Sequence, residues 1–157
     1  MRSILPKTFV TLAIAASAAF GADNTIGKWK LNIEQSQYAP APMPVKALMV
    51  TREATGGGVK VTTTGQWTDG TAINATYTAK YDGTPSSVTG TGSLYDLISI
   101  KQVDANTVTD ERKKSGGAYH VIGRTVISNG GKTMTSSTKG VNGDGKVFTS
   151  TFVFDKQ

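Results

Sequence analysis

The chain has 157 residues, 17 of them basic and 11 acidic for a formal net charge of +6, with no cysteine and one histidine. That inventory excludes disulfides, thiol catalysis, thiolate zinc sites and iron–sulfur ligation, and it excludes a metal site built on a pair of histidines. The basic surplus is spread over the chain, with Arg112-Lys113-Lys114 its one run, so no nucleic-acid partner is expected.

The first segment reads as an export signal. Arg2 and Lys7 give a short positive region, Phe9 to Ala16 is apolar apart from Thr11, and Ala19-Phe20-Gly21 sets small residues at both positions a signal peptidase inspects. Residues 1–21 are therefore expected to be a signal peptide, cleaved after Gly21 or Ala22, leaving a single domain over 22–157 with 15 basic and 11 acidic residues. The apolar run is well short of the ~20 residues of a membrane-spanning helix, so no membrane span is expected. With no cysteine for a lipid anchor, the mature protein is expected in the periplasm or the medium.

From there on the pattern is all-β. No later window carries the i, i+3, i+4 spacing of a helix, while threonine, valine and 18 glycines recur throughout. Strands are predicted at 27–34, 46–54, 59–67, 71–81, 95–103, 107–114, 118–127, 132–139 and 146–155. In the fourth, Ile73, Ala75, Tyr77, Ala79 and Tyr81 share one face by period 2, and Asn74, Thr76, Thr78 and Lys80 share the other. Reversal signals such as Gly56-Gly57-Gly58, Asp69-Gly70, Asp104-Ala105-Asn106 and Asn142-Gly143-Asp144-Gly145 fall between the strands, and connections this short force antiparallel neighbours. An up-and-down meander of about nine strands avoids exposed edges by closing into a barrel; two stacked sheets are the alternative. Two stretches interrupt the cadence. Gln37 to Pro44 is proline-stiffened and cannot be a central strand; Thr84 to Ser93 has no apolar period and reads as a flexible loop or bulged edge.

Gly27-Lys28-Trp29-Lys30-Leu31 is similar to the Gly-x-Trp-x-Leu of the first strand in the calycin group, the lipocalins and fatty-acid-binding proteins. Thr149 to Lys156 resembles the closing strand of fatty-acid-binding proteins, while Asp104 to Val108 and Gly131 to Thr135 resemble hairpins of the exported lipocalin-like proteins of bacteria. The resemblance implies a lipocalin-like barrel with Trp29 plugging one end beneath a basic side chain, Arg124 or Lys156. It departs from the family in one respect that bears on the ligand: the positions matching the carboxylate-binding Arg and Tyr are Phe152 and Phe154.

Candidate ligand-binding residues are Trp67, Tyr77, His120, Arg124, Phe148, Phe152 and Phe154. The three phenylalanines share a face with Ser150 that the resemblance turns inward. His120 and Arg124 share a face of their strand; turned inward with Arg112 or Asp110 they would make a polar spot for an acidic or hydroxylated group, and turned outward they are solvated side chains. Asp110 and Glu111, being adjacent, face opposite sides and cannot act as a carboxylate pair; they read as a charged strand end. Asn142 to Gly145 lacks the twelve-residue calcium loop, so no metal or other cofactor is expected.

The function expected is that of an exported barrel, monomeric and without enzymatic activity, that binds or carries a small hydrophobic molecule in a Gram-negative bacterium. The alternatives are an envelope structural or protein-interaction module with a solid core, and an enzyme using His120 with Asp110 or Glu111.

Overall fold

The structure is a computed structural model that describes residues 21–157; the signal-peptide segment falls outside them but for Gly21. Nine long strands form the meander: β1 (Gly27–Ala39), β2 (Val45–Thr55), β3 (Gly58–Trp67), β4 (Ala72–Lys80), then, after two short strands, β7 (Leu97–Asp104), β8 (Thr107–Lys113), β9 (His120–Ser128), β10 (Thr133–Val141) and β11 (Val147–Lys156). Each predicted strand is present, eight of them within two residues of their expected bounds; β1 runs five residues past 34 and so takes in Gln37 to Ala39 of the stretch read as a proline-stiffened connection, which pair with β11. The two short strands, β5 (Ser86–Ser87) and β6 (Thr89–Thr91), come from the stretch read as a loop or bulged edge. All eleven belong to one antiparallel sheet, ordered β5-β7-β8-β9-β10-β11-β1-β2-β3-β4-β6, which curls into a nearly closed barrel.

The short strands solve a problem of parity. Eight antiparallel pairings lead from β7 round to β4, an even number, so β4 and β7 run in the same direction and cannot form an antiparallel ladder. The segment from Asp82 to Thr91 lies between them and runs against both. Its first part pairs with β7, through the bridge Asp82↔Lys101 and then Ser86↔Ile98 and Ser87↔Leu97. Its second part pairs with β4, from Asn74↔Thr91 to Thr76↔Thr89. The switch of partner falls at Val88. Glycine makes the second contact possible: Gly90 has φ 110°, and a Cβ there would lie 2.1 Å from the Asn74 carbonyl oxygen.

β1 joins the two ends of the chain in the sheet, with Trp29↔Lys156 and Leu31↔Phe154 on one side and Trp29↔Val50 on the other. Between Asn32 and Gln37 its register with β11 slips. There the Ser36 hydroxyl accepts from the Val153 N–H at 3.0 Å and donates to the Asn32 carbonyl at 2.6 Å, filling the broken ladder. The prolines begin only at Pro40, beyond the strand.

The closed end is built on Trp29, which has no exposed surface. Its Nε1 donates to the Thr25 carbonyl at 2.9 Å, and the Lys156 ammonium stands 5.2 Å from its ring. Of the two basic residues expected above this ring, it is Lys156 that fills the role; Arg124 is exposed on the outside of β9. Leu31, Val45, Ile127, Met134 and Phe154 pack around the indole, and Val59, Val61, Ala79, Ile98, Ile100 and Val108 form a second apolar cluster. A buried side chain of this size contributes roughly 3–5 kcal/mol.

Candidate functional site

Period-2 alternation turns one residue in two toward the barrel axis, and these residues do not fill it. They surround a cavity of about 500 Å³. Its mouth lies at the end opposite Trp29, bordered by Pro44, Leu94 and the Asn142–Asp144 turn. The wall is mostly apolar: Leu48 and Val50 from β2, Val61 from β3, Ile73 and Ala75 from β4, Ile100 from β7, Met134 from β10, and Phe152 and Phe154 from β11.

Toward the mouth the wall turns aromatic. Tyr95 stacks on Tyr119 at 6.1 Å between centroids, Tyr119 meets Phe148 at 6.4 Å, and Phe148 stacks on Tyr38 at 5.4 Å. Trp67 lines the wall nearby, its Nε1 donating to the Gly92 carbonyl at 2.9 Å and so tying β3 to the segment that completes the barrel.

A charged pair sits among these rings. Asp110 and Arg112, two apart on β8, both point inward, and the Arg112 fork grips the carboxylate: Nε to Oδ2 at 2.6 Å and Nη2 to Oδ1 at 3.1 Å. The guanidinium lies 5.6 Å from the centre of the Tyr95 ring. Burial opposes its charge, yet the Asp110 carboxylate holds its pKa well above the ordinary value. The tyrosines respond to the same surroundings. Burial, the main cause, pushes the Tyr119 hydroxyl up to about 12 and raises Tyr77 and Tyr95 as well, so all three remain neutral donors at physiological pH. Among the described residues Tyr81 is the one tyrosine with a bonded hydroxyl, to Asp23 near the closed end.

Of the residues singled out in the sequence, Trp67, Tyr77, Phe148, Phe152 and Phe154 all border the cavity. His120 and Arg124 do not, and the inward reading of that pair is corrected. Both are exposed on the outer face of β9, where His120 Nε2 lies 2.7 Å from Glu111 Oε1, which Lys113 also contacts at 2.9 Å. The physical reason is that the other face of β9 carries Val121, Thr125 and Ile127, all buried, and only one face can turn to the core. The outward contacts with Lys113 and His120 lower the Glu111 pKa.

Asp110, expected with Glu111 to be part of a charged strand end, instead turns inward and pairs with Arg112. The signal that marks it is the i, i+2 spacing of opposite charges on the face that also carries Val108. Arg52, lining the cavity from β2, is absent from the sequence-predicted site; by period 2 it shares the face of Leu48 and Val50.

No family model matches the chain, and no curated protein matches it. Among solved structures it is similar to EF1p2_mFAP2b bound to DFHBI, with a TM-score of 0.46 at 10% sequence identity, over 85% of this chain and 94% of that one.

Proposed function

We propose that this protein is an exported, monomeric calycin-type barrel that carries a small, mostly apolar molecule in the periplasm of a Gram-negative bacterium or outside its cell. The observation that carries the binding role is the cavity of about 500 Å³, with a mostly apolar wall and stacked aromatic rings at its mouth. Its volume lies within the ~300–1,000 Å³ range of small-molecule sites. Burial of ligand area at roughly 25 cal/mol per Å² would supply the affinity. The solid-core alternative finds no support in such an interior. Kinship with the lipocalin-like proteins is supported by Gly27-Lys28-Trp29 at the closed end beneath Lys156.

The role is binding rather than catalysis, and the one histidine, paired with Glu111 on the outer face, has no part in it. Export is supported by the pattern of residues 1–21, and cleavage after either Gly21 or Ala22 would keep Asp23, which accepts from the Thr25 and Tyr81 hydroxyls.

Titration with phenylnaphthylamine, an uncharged apolar dye, tests the binding role. Saturable fluorescence enhancement at one dye per chain is expected, and Ala75→Trp, which fills the cavity from β4, should abolish it without loss of the β signal in circular dichroism. Absence of saturable uptake by the folded wild type would overturn the proposal. Export is checked by fractionating cells that express the full chain, with a new N-terminus at Ala22 or Asp23 expected in the exported fraction.

A further inference from the structure

The cavity wall carries two guanidinium groups in different circumstances. Arg112 has its counter-charge in the Asp110 fork. Arg52 has no carboxylate in contact. It is 7% exposed, its Nε donates to the Thr25 hydroxyl at 3.0 Å, and that hydroxyl donates to Asp23 at 2.6 Å, so the nearest acid stands one hydroxyl away. Arg52 Nη2 is buried and has no partner, the one buried side-chain nitrogen or oxygen among the described residues left in that state.

Buried donors are nearly always satisfied, and a side chain that lines a cavity while keeping a buried donor without a protein acceptor marks a place where a ligand supplies the acceptor. The position suits that role. Arg52 is registered with Val61 of β3, and Val61 with Tyr77 of β4, so the guanidinium and the Tyr77 phenol lie on the same inner face, two strands apart. Arg52 is the residue at the closed end, opposite Gly27 of β1 and past the Trp29↔Val50 pair. A neutral hydroxyl on the ligand would satisfy the N–H but leave the guanidinium charge without a counter-ion. An anionic oxygen does both.

We infer that the ligand is an amphiphile with an anionic oxygen group, and that Arg52 receives this group at the closed end of the cavity while the apolar body extends toward the mouth. The inference rests on the binding role proposed for the cavity. It places recognition on β2, away from the last strand, where Phe152 and Phe154 offer no charge.

The test uses two dyes that share an aromatic body and differ by a sulfonate: anilinonaphthalene sulfonate and phenylnaphthylamine. The purified wild type should bind the sulfonate about tenfold or more tightly than the neutral dye, the range expected for a charged hydrogen bond. Arg52→Met should bring the two affinities to near parity while changing that for the neutral dye less than about threefold. Arg52→Lys should retain part of the preference, because it keeps the charge and loses the fork. Displacement by decanoate and by decyl phosphate then separates a carboxylate from a phosphate ligand. Equal affinity of the wild type for both dyes, or a preference that survives Arg52→Met, overturns the role of Arg52 and leaves the cavity standing. Uptake of neither dye overturns the binding role itself. Should Arg52→Met fail to fold, the wild-type comparison and Arg52→Lys decide the matter.

Discussion

Gly123 of β9 lies directly opposite Asp110 of β8, and its missing side chain is what gives the Asp110 carboxylate its place: a Cβ at Gly123 would fall 2.6 Å from Asp110 Oδ1. The residues flanking Gly123 on the inner face, Val121 and Thr125, are both buried, so the gap in the wall occurs where the charged pair needs it. Gly123→Ala should cost about 1–3 kcal/mol in urea denaturation, since the carboxylate must leave its fork or the strands must part. In an Asp110→Ser background the same change meets a shorter side chain and should cost less than about 1 kcal/mol. Equal costs in the two backgrounds would show that the steric conflict lies elsewhere.

Breaking the inner pair from one side should be worse than replacing it whole. Asp110→Ala leaves the Arg112 guanidinium in the wall without its carboxylate and is expected to lower stability by about 3–5 kcal/mol. The double replacement Asp110→Leu with Arg112→Met should be less damaging than Asp110→Ala alone. If the single change is the milder of the two, the fork is not what keeps this charge in the wall.

Alkali should unfold the protein through its inner tyrosines. Burial pushes the Tyr119 hydroxyl from 10.0 to about 12, so the neutral folded form contributes stability that is fully present below pH 10 and is lost as pH rises from 10 toward 12. One such shift corresponds to roughly 2–3 kcal/mol. Tyr77 and Tyr95 are raised in the same direction and by the same main cause. Stability measured against pH should fall steeply above 10, and Tyr119→Phe should make the fall shallower. Phenolate absorbance appearing at the ordinary tyrosine pH, with the barrel still folded, would contradict this reading of the interior.

The outward pair provides the opposite expectation. His120→Ala and Arg124→Ala remove exposed side chains, so each should change stability by less than about 0.5 kcal/mol and leave dye binding in the cavity as it was. Loss of dye binding in either variant would return these residues to the site.

What the sequence disclosed of this fold follows from where its periodicity was unambiguous. In β4 every second residue from Ile73 to Ala79 is apolar and every intervening one polar, so strand, face and inwardness are all readable. In β9 both faces carry apolar residues, Ile122 outside and Val121 and Ile127 inside, and the alternation gave the grouping of His120 with Arg124 but not the side. Asp110 and Arg112 were hidden for a different reason. Inward charge is stable only with a partner and a vacancy opposite, and the vacancy, Gly123, comes from another strand. Arg52 depends on Thr25, 27 residues away in sequence. The short strands β5 and β6 left no signal because their role arises from the direction of β4 and β7, which no local window contains.

The segment from Thr84 to Ser93 completes the barrel while pairing with only one neighbour at a time, with β7 before Val88 and with β4 after it. Each half therefore has a free backbone edge on the side away from its partner, where every other interior strand has a second ladder. Local opening there breaks one row of hydrogen bonds instead of two, and amide protons of this segment should exchange with solvent before those of β8 to β11. The barrel is nearly closed, and in this one place its wall is a single seam deep.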